Sequence, residues 1–125
     1  KRPVGTDGAH AHSNLALIYK QKGQLDKAMQ HLTEAIQLDP HSQGPYYNLG
    51  VLLYEQGQLD EAIDTCRKGI HFAPQSFNLH FSLGIYLKTQ GHDQQAIKSL
   101  KAALGINPNA TEAKRLLEEL SQQGR

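Results

Sequence analysis

Cysteine occurs once in the 125 residues, at Cys66. A single thiol excludes an internal disulfide and a cysteine-built metal cluster. An excess of either charge is also missing: 13 Lys and Arg stand against 12 Asp and Glu, a formal net charge of +1. With no basic stripe, nucleic acid is not an expected partner. Apolar runs are only a few residues long, so no membrane insertion is expected. No charged-then-apolar leader opens the chain. It begins Lys1-Arg2-Pro3 without Met, which reads as a piece of a longer or processed protein. There is no Gly-rich phosphate loop, no serine nucleophile elbow and no isolated carboxylate pair. Nothing in the linear pattern gives Cys66 the oriented base that a catalytic thiol needs. The expectation is one compact domain with no enzyme activity, no catalytic residue and no cofactor.

What is present is a period. Gly23-Gln24-Leu25-Asp26-Lys27-Ala28, Gly57-Gln58-Leu59-Asp60-Glu61-Ala62 and Gly91-His92-Asp93-Gln94-Gln95-Ala96 align without a gap, each 34 residues from the next. The same step links Pro40, Pro74 and Pro108, and also Leu15, Leu49 and Leu83. Independent landmarks on one period define a repeat.

Each unit reads as helix, turn, helix. Leu15, Ile18 and Tyr19 recur at helical spacing, and Gly23 then allows the left-handed backbone that ends a helix. A second helix starts at about Leu25 and puts Ala28, Met29, Leu32, Ala35 and Ile36 on one face. It stops near Asp39-Pro40, because proline cannot supply the next helical N–H. Ser42 and Ser76 are expected N-caps. Asn109 is expected to cap a last helix, with Glu112 completing a capping box. Small residues share registers: Ala16, Gly50 and Gly84; Ala28, Ala62 and Ala96; Ala35, Gly69 and Ala103. They let helix axes approach to the close end of roughly 8–10 Å. Close packing is the expected compensation for Gly50, Gly69 and Gly84, each costing roughly 0.5–1 kcal/mol against Ala inside a helix.

This pattern resembles the tetratricopeptide repeat family. The first unit carries His12, Leu15-Ala16, Tyr19, Gly23, Ala28, Leu32, Ala35 and Pro40. The second carries Tyr46, Leu49-Gly50, Leu53, Gly57, Ala62, Cys66, Gly69 and Pro74, and the third His80, Leu83-Gly84, Leu87, Gly91, Ala96, Leu100, Ala103 and Pro108. The resemblance implies an all-α, right-handed superhelical solenoid. It divides the chain into a tail over residues 1–8, repeats over 9–42, 43–76 and 77–110, and a capping helix with its tail over 111–125. Cys66 aligns with Leu32 and Leu100 and is read as a core residue. Leu49, Leu53, Leu83 and Leu87 are expected to supply the core from the first helices. Asp93 stands where the other repeats have Leu25 and Leu59, so the third turn is expected to be looser. After Pro108, an amphipathic helix directs Ala113, Leu116, Leu117 and Leu120 inward and Glu112, Lys114, Arg115, Glu118 and Glu119 to water.

The resemblance also implies a function, that of a protein-interaction module with a protein or peptide partner held along a concave surface. Its implied lining comprises Asn14, Leu17 and Lys20 with His10 and Ser13, then Tyr47, Asn48, Val51 and Tyr54, then Asn78, Phe81, Ser82, Ile85 and Lys88. Asn14, Asn48 and Ser82 share the register at which an asparagine ladder grips a peptide backbone, because an amide offers both donor and acceptor. A second family mode, the carboxylate clamp for acidic chaperone tails, needs Lys and Asn, then Asn, then Lys and Arg. This chain has Ser13, Leu17, Asn48, Asn78 and Ser82 there, so that mode is not expected. Seven histidines show no recognised metal-ligand spacing, and none is expected to hold a metal. Self-association, and service as the substrate-selecting arm of a larger enzyme, remain the alternatives.

Overall fold

The computed structural model of the chain describes the backbone of residues 4–123 and the side chains of residues 11–123. Seven helices and no strand occur among the described residues: α1 Val4–Gln21, α2 Leu25–Leu38, α3 Gln43–Glu55, α4 Leu59–Phe72, α5 Phe77–Thr89, α6 Asp93–Ile106 and α7 Thr111–Gln123. They form an all-α repeat solenoid in which α1 packs on α2, α3 on α4 and α5 on α6. Pairs stack through α2 on α3, α4 on α5 and α6 on α7. The first helix begins at Val4, so part of the stretch read as a tail is helical backbone.

One turn design recurs. Gly23, Gly57 and Gly91 have φ of 76°, 79° and 87°, a left-handed geometry that costs a side-chain-bearing residue strain. It lets the next N–H fold back onto the spent helix: Gln24 N to Tyr19 O at 2.8 Å, Gln58 N to Leu53 O at 2.9 Å, His92 N to Leu87 O at 2.9 Å. These bonds satisfy carbonyls that the helix ends would leave bare. The third turn matches the other two, so Asp93 does not loosen it. The backbone bonds, and not the side chain two residues after the glycine, hold the turn.

Capping follows the expectation only in part. The Ser76 hydroxyl accepts from Leu79 N at 3.2 Å and donates to Gln43 Oε1 at 2.8 Å. Ser42 stands at the N-cap of α3 in extended backbone but makes no side-chain cap bond. The Asn109–Glu112 capping box does not form. Asn109 N donates to Asn107 Oδ1 at 3.2 Å, α7 starts at Thr111, and Glu112 pairs instead with Arg115.

The core runs along the seam between first and second helices. Ala28, Ala35, Ala62, Cys66, Leu79, Ala96, Leu100, Ala103 and Ala113 are fully buried. Leu53, Leu83 and Leu87 are buried as expected, whereas Leu49 is only half-buried. Leu52, Leu79 and Tyr86 join the core unforeseen. Ile18, Leu52 and Tyr86 share one register; Leu52 and Tyr86 are closed over by the preceding pair, while Ile18 stays 46% exposed. The register is therefore apolar for stacking between repeats. At the other end, Ala113, Leu116 and Leu120 of α7 are buried, Leu117 is half-buried, and Glu112, Lys114, Arg115 and Glu118 are exposed.

Burial pushes the Cys66 thiol from 9.0 up to about 12, because a thiolate in apolar surroundings loses its hydration. Below about pH 9 the thiol is neutral whether the chain is folded or not. Between pH 9 and 12 the unfolded chain ionises while the folded one keeps its proton, so this group withdraws stability as pH rises. Near pH 8 the folded chain should react with a thiol reagent at a small fraction of the rate of the urea-unfolded chain, the thiolate fraction being on the order of a thousandfold lower. Equal labelling rates in the two states would refute a sealed Cys66.

Candidate functional site

The candidate binding face is built from the first helices of the three pairs. Position 34 residues on returns each side chain to the same face, so Leu17, Val51 and Ile85 share one register and Lys20, Tyr54 and Lys88 another. Tyr47, Tyr54, Phe81 and Ile85 are half-buried and rest on the main core cluster. Tyr54 lies against Tyr86 with ring centroids 4.7 Å apart, and Phe81 stacks on Phe77 at 5.5 Å. Tyr86, which sequence reasoning missed, is 3% exposed and forms the floor under Tyr54. Its phenol is pushed well above the usual tyrosine range, first by burial and then by the nearby Cys66. It stays neutral. Neither the Tyr47 nor the Tyr54 hydroxyl has a hydrogen-bond partner among the described residues, so an apolar strip carries free polar tips.

Asn48 is half-buried and shares a small hollow with Leu17, Lys20, Ala16, Leu32 and Leu52. The hollow joins α1 to α3, and the Asn48 amide is unpartnered among the described residues. Asn14, in the same register one repeat earlier, is exposed. Ser82, in the third repeat, departs from the ladder: it is 5% exposed and lies beside the Tyr86 phenol. A serine is too short to clear the neighbouring helices as asparagine does, so it is covered. Asn78 is exposed at the first turn of α5, beside Gln43, Phe77 and the Ala73–Ser76 turn, which places it at the rim. Ser13, Leu17, Val51 and Ile85 are accessible to differing degrees, Leu17 being 45% exposed. The His10 side chain lies outside the described residues.

Both groove cations are already paired. Lys20 Nζ lies 3.5 Å from Glu55 Oε1, and Lys88 Nζ lies 3.4 Å from Glu119 Oε2. The second pair also changes the reading of α7: Glu119 is half-buried and bridges to α5, so that helix does more than present a polar outer face. Such half-exposed pairs contribute little stability, about 0–1 kcal/mol. Their effect here is to neutralise the two charges that a ligand carboxylate would otherwise find.

A sequence model of the tetratricopeptide repeat matches residues 8–83, and a second matches residues 77–110. The chain belongs to the tetratricopeptide repeat family. Among solved structures, it is similar to the first such domain of Spaghetti (RPAP3) bound to an HSP90 peptide, SRMEEVD, at TM-score 0.86 and 19% identity over 94% of each chain. It is similar to the Arabidopsis OM64 domain at TM-score 0.85 and 18% identity, covering 95% of this chain and 98% of that one. The N-terminal domain of stress-induced protein-1 from C. elegans gives TM-score 0.86 at 20% identity, covering 96% and 99%. At these identities the likeness establishes the shared fold. No curated protein matches the sequence.

The tetratricopeptide pattern does not account for one cluster. His12, His31 and Glu34 converge between α1 and α2, although the linear spacing of the histidines gave no such grouping. His31 and Glu34 are three apart on one helix, a spacing that could have been read. The third member arrives from α1, across 19 residues of chain, and only the packing of the pair supplies it.

Proposed function

We propose that this tetratricopeptide chain is a protein-interaction module that takes an extended peptide segment along the face of α1, α3 and α5. The observation that carries the reading is the strip of Tyr47, Tyr54, Phe81 and Ile85, half-buried on the core, with Val51 half-buried in the same helices. The strip's tyrosine hydroxyls, like the Asn48 amide, are unpartnered among the described residues. A contiguous accessible apolar strip on a folded domain suits a partner, and tyrosine offers an apolar body with a hydrogen-bonding tip. Family members with peptide bound, such as the RPAP3 domain with its HSP90 peptide, support the class of ligand. Asn48 and Asn14 would hold the peptide backbone; Asn48→Ala should cost about 1 kcal/mol of affinity.

The decisive experiment compares capture of partners by the parent chain and by a Tyr47→Ala/Asn48→Ala/Tyr54→Ala variant whose helical CD spectrum is unchanged. Proteins held by the parent and lost by the variant, at least about tenfold, support the groove. Equal capture by both moves the site elsewhere. A second reading, association of two copies, draws on Leu15 and Ile18, exposed on α1 where later repeats bury the matching residues or leave them half-covered. A molar mass that rises with concentration would favour it.

A further inference from the structure

We infer that His12, His31 and Glu34 form a binding site for a borderline divalent transition ion such as Zn2+, clasping α1 to α2. The three ligand atoms already enclose a metal-sized point. His12 Nδ1 and His31 Nδ1 are 2.7 Å apart, His12 Nδ1 and Glu34 Oε2 3.2 Å, and His31 Nδ1 and Glu34 Oε2 4.0 Å. These separations define an acute triangle whose centre lies about 2.0 Å from every corner, which matches ordinary Zn–N and Zn–O distances. A modest opening of the two nitrogens would bring them to the roughly 3.3 Å expected between ligands of a tetrahedral ion.

Ring geometry sets the two nitrogens opposite one another, so each ring must swing to turn its lone pair toward a shared ion. The two imidazole centroids are 5.0 Å apart while their Nδ1 atoms are only 2.7 Å apart. The rings therefore meet through their nitrogen edges and not through their faces. Without metal, one Nδ1 must carry a hydrogen. The tautomer with it on His12 serves both the His31 nitrogen and the Glu34 oxygen. With the ion bound, His12 carries its hydrogen on Nε2. His31 is backed by a near-parallel Tyr19 ring, 5.3 Å away at 5°, which leaves it free to turn within its own plane. Exposure of about a quarter for each histidine leaves an entry path and an open coordination position for water. Two imidazoles and one carboxylate are the donor set that suits Zn2+ and its neighbours, not Ca2+ or Mg2+.

The repeat does not require this cluster. The matching positions hold Tyr46, Thr65 and Lys68 in the second repeat and His80, Ser99 and Ala102 in the third. Tyr46 and His80 instead donate to the carbonyls of Pro40 and Pro74, each at 2.9 Å. His12 uses the same register to reach across to α2. The site runs against the expectation that no histidine holds a metal, and it stands independently of the groove.

Calorimetric titration of the full chain with Zn2+ tests it, with Co2+ absorbance reporting imidazole coordination. One equivalent should bind and raise the thermal midpoint. Affinity should fall at least about tenfold in His12→Gln, His31→Gln and Glu34→Gln, while His71→Gln, at an exposed position of α4, leaves it unchanged. Glu34→Gln keeps the fold safe from core damage, because Glu34 is 40% exposed. Absence of stoichiometric binding, or binding that survives all three substitutions, overturns the site.

Discussion

Leu79→Ala should lower the unfolding free energy by about 2–5 kcal/mol, the range for emptying a fully enclosed leucine site. Leu79 is 0% exposed and sits where α5 meets α4. A Cβ built on Gly69 would lie 2.7 Å from Leu79 Cδ1 and 2.9 Å from Cβ and Cγ of Tyr46. Gly69→Ala should therefore destabilise too, by about 1–3 kcal/mol, since the stem of a tyrosine cannot step aside as a leucine tip can. The double variant should cost less than the two singles added, because the new methyl partly fills the space that Leu79 leaves. Gly50 has a different fate. A methyl there meets Cys66 Sγ at 3.5 Å and Tyr86 at 3.6 Å, which is ordinary contact. Gly50→Ala should be neutral or stabilise by up to about 1 kcal/mol through helix propensity. Chemical denaturation of the four variants checks the set. Equal losses at Gly50 and Gly69 would refute the packing distinction. Gly50 shared the register of Gly84, whose Cβ would meet Leu100 at 2.9 Å, and sequence alone treated the two alike.

Peptides with an acidic end and a free terminal carboxylate should bind at least about a hundredfold more weakly here than to a tetratricopeptide domain that carries the clamp cations. Each charge-assisted hydrogen bond to a carboxylate contributes about 1.5–3 kcal/mol, and at least two cationic partners are missing. Ser13, Leu17, Asn78 and Ser82 stand at clamp positions with no charge, and Ser82 is buried. Lys20 and Lys88 are drawn to Glu55 and Glu119. Fluorescence anisotropy with a labelled acidic heptapeptide measures the difference. Glu55→Gln and Glu119→Gln should partly restore binding by releasing the lysines. Tight binding by the parent chain would mean that the groove recruits cations not identified among the described residues.

Much of the architecture was legible because a repeat states the same constraint three times. Gly23, Gly57 and Gly91 could be placed at turns from their spacing, and their positive φ follows from what only glycine does cheaply. The alanines at 28, 62 and 96 and at 35, 69 and 103, with one glycine among them, marked the inner face of the second helices in the same way. The strip of Tyr47, Tyr54 and Phe81 was an implication of the family resemblance, and its half-buried setting on the core is what the structure adds.

The sequence by itself determined the 34-residue period, the seven helices and the apolar faces that must meet, since each is a local or periodic property of the chain. Only the tertiary structure decided which chemically similar residues differ in role. Ile18 stays exposed where Leu52 and Tyr86 are sealed, because burial depends on a neighbouring helix and not on the residue. Ser82 is buried while Asn48, in the same register, is only half-buried. His12, His31 and Glu34 converge because two antiparallel helices bring together atoms that the linear spacing keeps apart.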